Sequence, residues 1–315
     1  MDISDFEYLK HQLNFSGLFG SDNSLGNLFL LKDRYKIELE RHTSYLLRKF
    51  DYSDSIRGYT FPIFFNEDAS PNEDSVLRDY FLHITENQKK SNISLCLFTE
   101  NQKKQFDTFI TNNFPDYKIE WGTNPADGDY IYLQSDLENL PGKKLQKKKN
   151  HISKFHRTFA NESFVYFNKS NFSTKIYTDF LMVADNWINE QTGKNSDSET
   201  HIYQSERTSI ESALNHISLF DFSGGLLYVE ETPVAITLAS KISDEVLDIH
   251  FEKCLSTEAA FGGYAVINNE FIKHCSNFKY INREEDLGIE GLRKAKLSYK
   301  PEIILDKYYG RLIKD

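Results

Sequence analysis

Between residues 225 and 253 the chain sets three apolar runs almost end to end, at 225–230, 234–241 and 246–253. Only Glu231-Thr232-Pro233 separates the first two, a tight turn that commits the segment to consecutive strands of one sheet. A strand at 164–167 and helices at 174–191 and 201–217 precede this block. A helix at 258–275, a short strand at 278–282, a helix at 291–300 and a strand at 302–307 follow it. The resulting order is β-α-α-β-β-β-α-β-α-β, which predicts an α/β fold with mixed sheets.

The first half is less regular. Apolar runs at 28–31, 35–39 and 44–50 read as hairpin strands, with Lys32-Asp33-Arg34 turning between the first two. Val76, Leu77, Tyr80, Phe81 and Ile84 give helical spacing over 72–90, entered through Pro71. A strand at 93–98, a helix at 103–113 and strands at 117–121 and 130–133 complete it. A length of 315 residues suits two domains. We expect the divisions at 1–140, 141–160 and 161–315, with the middle piece a basic linker helix that Pro141 opens.

That helix stands out by charge. The net charge of the chain is −10, which argues against general nucleic-acid binding over its surface. Yet no acid falls between Glu138 and Glu162, while Lys143, Lys144, Lys147, Lys148, Lys149, Lys154 and Arg157 do. Lys143, Lys147, Lys154 and Arg157 share one helical face; Leu145, Ile152, Phe155 and Phe159 share another. The cationic face suits the phosphates of a tRNA acceptor stem or of an anionic lipid surface. It equally suits a solvated face, and without interleaved aromatics it offers no base stacking.

Other features limit the chemistry. A hydrophobic content of 39% with 14% aromatics is enough for packed cores and excludes bulk disorder. Cys96, Cys254 and Cys275 are too few and too scattered for a disulfide framework or a zinc site. His11, His42, His83, His201, His216 and His274 show no metal-ligand spacing, so no metal is expected. No signal peptide or membrane-spanning run is evident, which predicts a cytoplasmic location.

Candidate site residues gather late in the chain. On strand 246–253, Asp248, His250 and Glu252 point the same way. One wet sheet face explains that alternation; if helices cover both faces, His250 and Glu252 become acid–base candidates. Gly262, Gly263 and Tyr264 sit at a strand-to-helix junction, where backbone N–H groups can hold pyrophosphate or where glycines simply permit close packing. Glu284-Glu285-Asp286 then lead into a helix carrying Arg293, Lys296 and Lys300 at i, i+3 and i+7. Cations there either steady developing negative charge or complement the helix dipole by about 0.3–1 kcal/mol each.

The element order resembles that of the GNAT superfamily of N-acetyltransferases, with the first half a decayed copy. Two such units joined by a basic helix resemble the Fem-type peptidoglycan aminoacyltransferases. They resemble more closely the C-terminal catalytic domain of phosphatidylglycerol lysyltransferases. That family ends in Leu-x-x-x-Lys-x-x-aromatic-x-Pro, and Leu292, Lys296, Tyr299 and Pro301 fit the pattern without a gap. The likeness in element order covers most of the chain; the likeness in sequence is confined to 283–301.

The resemblance implies two tandem GNAT-like domains and transfer of an aminoacyl group from aminoacyl-tRNA to an amine or hydroxyl acceptor, with no cofactor required. It implies that Lys296 and Arg293 steady the carbonyl or phosphate. Asp286, within Asp-Leu-Gly, and Glu252 orient the nucleophile, while Tyr299 gives a proton or packs. The usual acetyl-coenzyme A loop begins with Gln or Arg and reads Gly-x-Gly, whereas Thr257 and Glu258 precede adjacent glycines here. That departure favours the tRNA donor over acyl-coenzyme A. Two other readings stand beside it: a coenzyme A-dependent N-acyltransferase, and a catalytically idle module that binds anionic lipid or nucleic acid. Lipid-modifying relatives usually carry a membrane-embedded part, so a soluble acceptor or peripheral membrane contact is expected. The sequence leaves the acceptor and the oligomeric state open.

Overall fold

The structure is a computed structural model that describes residues 3–66, 73–88, 94–192 and 197–314. Two compact units emerge, and neither is contiguous. The first comprises Met1–Asp129, Glu285–Ile289 and Ile304–Asp315; the second comprises Tyr130–Glu284 and Glu290–Ile303. This differs from the expected partition at 140 and 160, and the reason is strand pairing. The strand Tyr308–Lys314 lies antiparallel between Leu95–Phe98 and Tyr117–Thr123, giving both a hydrogen-bonding neighbour.

The sheet of the first unit runs in the order 38–41, 45–51, 57–59, 95–98, 308–314, 117–123, with Ile63–Phe64 paired to 45–51. Helices Glu73–Gln88 and Glu100–Asn113 supply Leu77, Tyr80, Phe81, Phe106 and Phe109 to its core. The second of these helices begins with a full capping box between Thr99 and Gln102. One expected strand is a helix. The run at 28–31 lies within Leu25–Leu31, whose first turn is capped by Ser24 accepting from the Asn27 amide. Four consecutive apolar residues fit either state, and the cap decides. The next run becomes strand only at Glu38, because Lys36 takes φ 47°. The expected strand residue Ile93 and the helix ends near 72 and 90 lie outside the described residues.

The first unit also buries charge. Lys307 pairs with Asp22 and stands 3.4 Å from Asp129, while Arg48 stands 3.3 Å from Asp22. Arg48 also donates to the carbonyls of Asp22 and Phe61.

The sheet of the second unit runs 303–305, 129–133, 280–282, 246–254, 232–241, 223–229, 162–167. It is mixed: Tyr280–Asn282 lies parallel to Val246–Cys254, and the pairs 246–254/232–241/223–229/162–167 are antiparallel. The parallel step needs a crossover, which the helix Gly263–Ile272 provides. The predicted order of elements is present, with two breaks, the first at His216 between the helices Asp197–Asn215 and Ile217–Phe220. The helix expected over 258–275 is two, Ser256–Phe261 and Gly263–Ile272, parted at Gly262 with φ 109°. The basic helix Gln146–Thr158 packs on both of these through Ile152 and Phe155, within the second unit. No helix of the described residues is long and apolar enough to cross a membrane.

Candidate functional site

Helices Thr174–Thr192 and Gly263–Ile272 both pack against strand Val246–Cys254, so its polar residues are enclosed rather than wetted. A charged residue so placed needs partners. Glu252 has two: it accepts from Arg283 Nη2 at 2.8 Å and from Asn268 Nδ2 at 2.9 Å. Arg283 follows directly on Tyr280–Asn282, the parallel neighbour, which is why strand order alone brings it to Glu252. The two side chains are only 13% and 11% exposed. Burial weakens the basicity of Arg283, but Glu252 together with the Tyr132 and Tyr299 phenols outweighs it and leaves the guanidinium above the ordinary arginine range.

Aromatic rings close round this pair. The guanidinium lies 4.8 Å from the Tyr299 ring centre and 5.8 Å from that of Tyr132. Lys148, half-buried on the basic helix, holds its Nζ 3.8 Å above the same Tyr299 ring. Burial, reinforced by the Arg283 charge, brings the Lys148 ammonium down to about 8. Burial likewise pushes the Tyr299 phenol up to about 12, against the pull of Arg283. Two polar atoms here are buried without a hydrogen-bond partner: Arg283 Nη1 and Asn268 Oδ1. Two cations, one carboxylate and an unused guanidinium N–H form a cluster with the hydrogen-bonding capacity to hold an anion.

The sequence-derived candidates distribute as follows. Lys296, 7% exposed, donates from Nζ to the carbonyls of Arg283 at 2.5 Å and Glu284 at 3.0 Å. Its own carbonyl accepts from Tyr132 Oη at 2.8 Å. Its ammonium thus holds the backbone that presents Arg283. Arg293 is half-buried and Lys300 is exposed. Asp286 belongs to the first unit, fully buried, where Oδ1 accepts from the Gly288 amide at 2.8 Å and shapes the turn at Leu287-Gly288. His250 meets Ser240 Oγ at 2.8 Å through Nε2, and Nδ1 stands 3.3 Å from Glu284 and 3.5 Å from Asp248. Burial drives its basicity down to about 3, so the ring is neutral at pH 7.

The glycine pair is packed tightly. A Cβ on Gly262 would come within 2.5 Å of the His151 carbonyl oxygen, and one on Gly263 within 2.4 Å of Cys254 Sγ. Tyr264 Oη accepts from Trp187 Nε1 at 3.2 Å. Gly262→Ala therefore meets both a left-handed backbone and a helix carbonyl, and loses about 3 kcal/mol. Chemical denaturation measures this, and an unchanged midpoint refutes the packing account. Lys143, Lys147, Lys154 and Arg157 are exposed; Lys154 reaches the Ala260 carbonyl at 3.1 Å. In the first unit a separate cleft is lined by Asp22, Tyr35, Asp127, Glu285 and Lys307 among others.

Sequence reasoning passed over Arg283, Lys148 and Asn268. Arg283 was masked by the three acids after it, and Lys148 by the lysines on either side; only the helix angle singles it out.

Residues 14–310 match the family described as phosphatidylglycerol lysyltransferase, C-terminal. A protein of unknown function from Bacteroides thetaiotaomicron is 29% identical with a TM-score of 0.80, over 98% of this chain and 97% of that one. The C-terminal domain of a protein described as a lysylphosphatidylglycerol synthetase, from Agrobacterium fabrum, shares the fold at a TM-score of 0.59 and 10% identity, over 98% and 92%. An uncharacterized protein of Mycoplasmoides gallisepticum is 25% identical over 185 residues, 59% of this chain. The match spans 56% of that relative's length.

Proposed function

This chain belongs to the phosphatidylglycerol lysyltransferase C-terminal family, and on that premise we propose that it moves an aminoacyl group from aminoacyl-tRNA to an amine or hydroxyl. The broader class, acyl transfer, goes with the family. The observation that carries the finer reading is the buried, unpartnered Arg283 Nη1 in a cluster with Lys148 and Tyr299.

In this reaction the acceptor lone pair adds to the ester carbonyl and the acceptor loses its proton. The ester C–O bond then breaks and the tRNA sugar leaves with its hydroxyl restored. Negative charge develops on the carbonyl oxygen, and fixed donors in a dry site lower that barrier most. Arg283 and Lys148 are the donors. Glu252 is engaged by Arg283 and Asn268, so its role is to hold the guanidinium rather than to take a proton. Lys296 is a positioning residue for the same group through its bonds to the Arg283 and Glu284 carbonyls. Tyr299 keeps its proton at neutral pH and can pass it to the departing sugar oxygen, taking the proton the acceptor loses in its place. The exposed Lys143, Lys147, Lys154 and Arg157 suit the tRNA backbone. The close approach of the His151 carbonyl accounts for Gly262 by helix packing, without a phosphate-cradling role.

The test offers purified protein radiolabelled aminoacyl-tRNA and, separately, acyl-coenzyme A, each with amine, hydroxyl and lipid-vesicle acceptors. Label passing from tRNA alone is the expected result; transfer from the thioester alone overturns the reading.

Lys148 adds a pH signature. Its ammonium is charged below about 8 and neutral above, so binding of aminoacyl-tRNA weakens as pH rises through that value. Lys148→Arg abolishes the fall, because a guanidinium stays charged. For stability the sign is opposite. From about 8 up to the ordinary lysine value of 10.5 the unfolded chain holds a proton the folded chain has lost, so stability rises with pH there. Filter binding and urea unfolding across that range check the two signs together.

A further inference from the structure

We propose that Glu40, His42 and His83 form a divalent-metal site in the first unit, with the donor chemistry of zinc. Glu40 ends the strand Glu38–Arg41, His42 follows it, and His83 comes from the helix Glu73–Gln88. Glu40 Oε2 stands 3.4 Å from His83 Nε2 and 4.0 Å from His42 Nε2. One ligand atom from each residue lies within 4.8 Å of the others. Zinc bonds of about 2.0–2.1 Å in tetrahedral geometry place ligand atoms about 3.3–3.4 Å apart, so a small side-chain closure completes the set.

The groups that hold the two imidazoles argue more strongly than the spacing. His42 Nδ1 lies 3.3 Å from Asp79 Oδ2, and that oxygen also accepts from Tyr45 Oη at 2.8 Å. A proton on Nδ1 therefore serves Asp79, and the Nε2 lone pair is turned toward Glu40. Carboxylate–histidine pairs of this form orient imidazoles for metals. The ring planes are set as well. His42 stacks on Tyr45 with centroids 4.4 Å apart, and His83 meets Tyr59 edge-on at 5.5 Å. The two imidazoles cross at 87°. His83 Nε2 lies 3.0 Å from Asn87 Nδ2, whose amide also donates to the His83 carbonyl. That second bond keeps the amide anchored when the ring nitrogen turns to a metal.

Two imidazoles and one carboxylate select zinc or a neighbouring transition ion over magnesium or calcium, whose preferred ligands are all oxygen. All three side chains are partly open to solvent, leaving a route in and a fourth position for water. The ion would tie the strand to the helix. A second cluster, Asp248, His250 and Glu284, is enclosed in the other unit and serves as the internal control.

The experiment strips the full-length protein with a chelator and titrates it with zinc chloride by calorimetry, alongside thermal melts. One equivalent bound and a raised melting temperature are expected. His83→Gln and His42→Ala abolish that equivalent, Asp79→Asn weakens it by about 10–100-fold, and His250→Ala leaves it unchanged. Melts of the metal-free variants that match metal-free wild type show that binding, not folding, was lost. Failure to take up zinc, retention in both histidine variants, or loss on His250→Ala instead would each overturn the assignment.

Discussion

Arg283→Lys cuts acyl transfer by about 10²–10³-fold, the expected cost of losing one preorganised donor at a developing oxyanion. Lysine keeps the charge but not the fork. The guanidinium spends Nη2 on Glu252 and keeps Nη1 unpartnered, and an ammonium on a shorter reach cannot do both. Arg283→Ala adds a folding cost of about 3–5 kcal/mol, because it leaves the Glu252 carboxylate enclosed and unpaired. The double replacement Arg283→Met with Glu252→Gln recovers most of that stability and none of the activity. Single-turnover transfer and urea unfolding separate the two effects. An Arg283→Lys enzyme at wild-type rate would remove Arg283 from the reaction.

The largest loss of stability is expected at Lys307→Met, about 3–5 kcal/mol in the first unit. The Lys307 ammonium, 3% exposed, pairs with Asp22 and faces Asp129. Burial lowers its basicity, but the two carboxylates outweigh that and leave it above the ordinary lysine range. A group raised in the folded state contributes its full stabilisation below the unfolded value, here well above neutral pH, and loses it only as pH climbs through the folded value. Arginine does not rescue, since a Cβ on Gly20 would already lie 2.5 Å from Lys307 Nζ and the space beyond is taken. A loss under about 1 kcal/mol on denaturation would show the charges to be solvated.

Much of the second unit was legible because each element carries its own period. Strand 246–254 alternates, and the turn before Pro233 leaves no room for anything but a hairpin. The first unit was harder. Leu28-Phe29-Leu30-Leu31 has no period, and a serine cap several residues back made it a helix. Strand 308–314 went unread: its partners lie about 190 and 210 residues away, and no local pattern encodes such pairing. At the site, Leu292, Lys296, Tyr299 and Pro301 pointed to the right segment. They could not tell that the Lys296 ammonium turns to backbone carbonyls while Arg283 keeps Nη1 unpartnered in the cluster. Charge type is written in sequence; which of several adjacent cations faces inward is decided by helix angle and strand order. Glu40, His42 and His83 were invisible for a related reason, since a strand end and a distant helix share them.

The strand at 308–314 has a consequence for the order in which the chain becomes itself. Ribosomes release residues from the N-terminus onward, so helices 73–88 and 100–113 and the strands at 95–98 and 117–123 emerge early. The slot between those two strands stays vacant until residues 308–314 have emerged. That sheet is therefore closed only after the residues of the second unit have been made, and through that interval two unsatisfied strand edges stand exposed to neighbouring nascent chains.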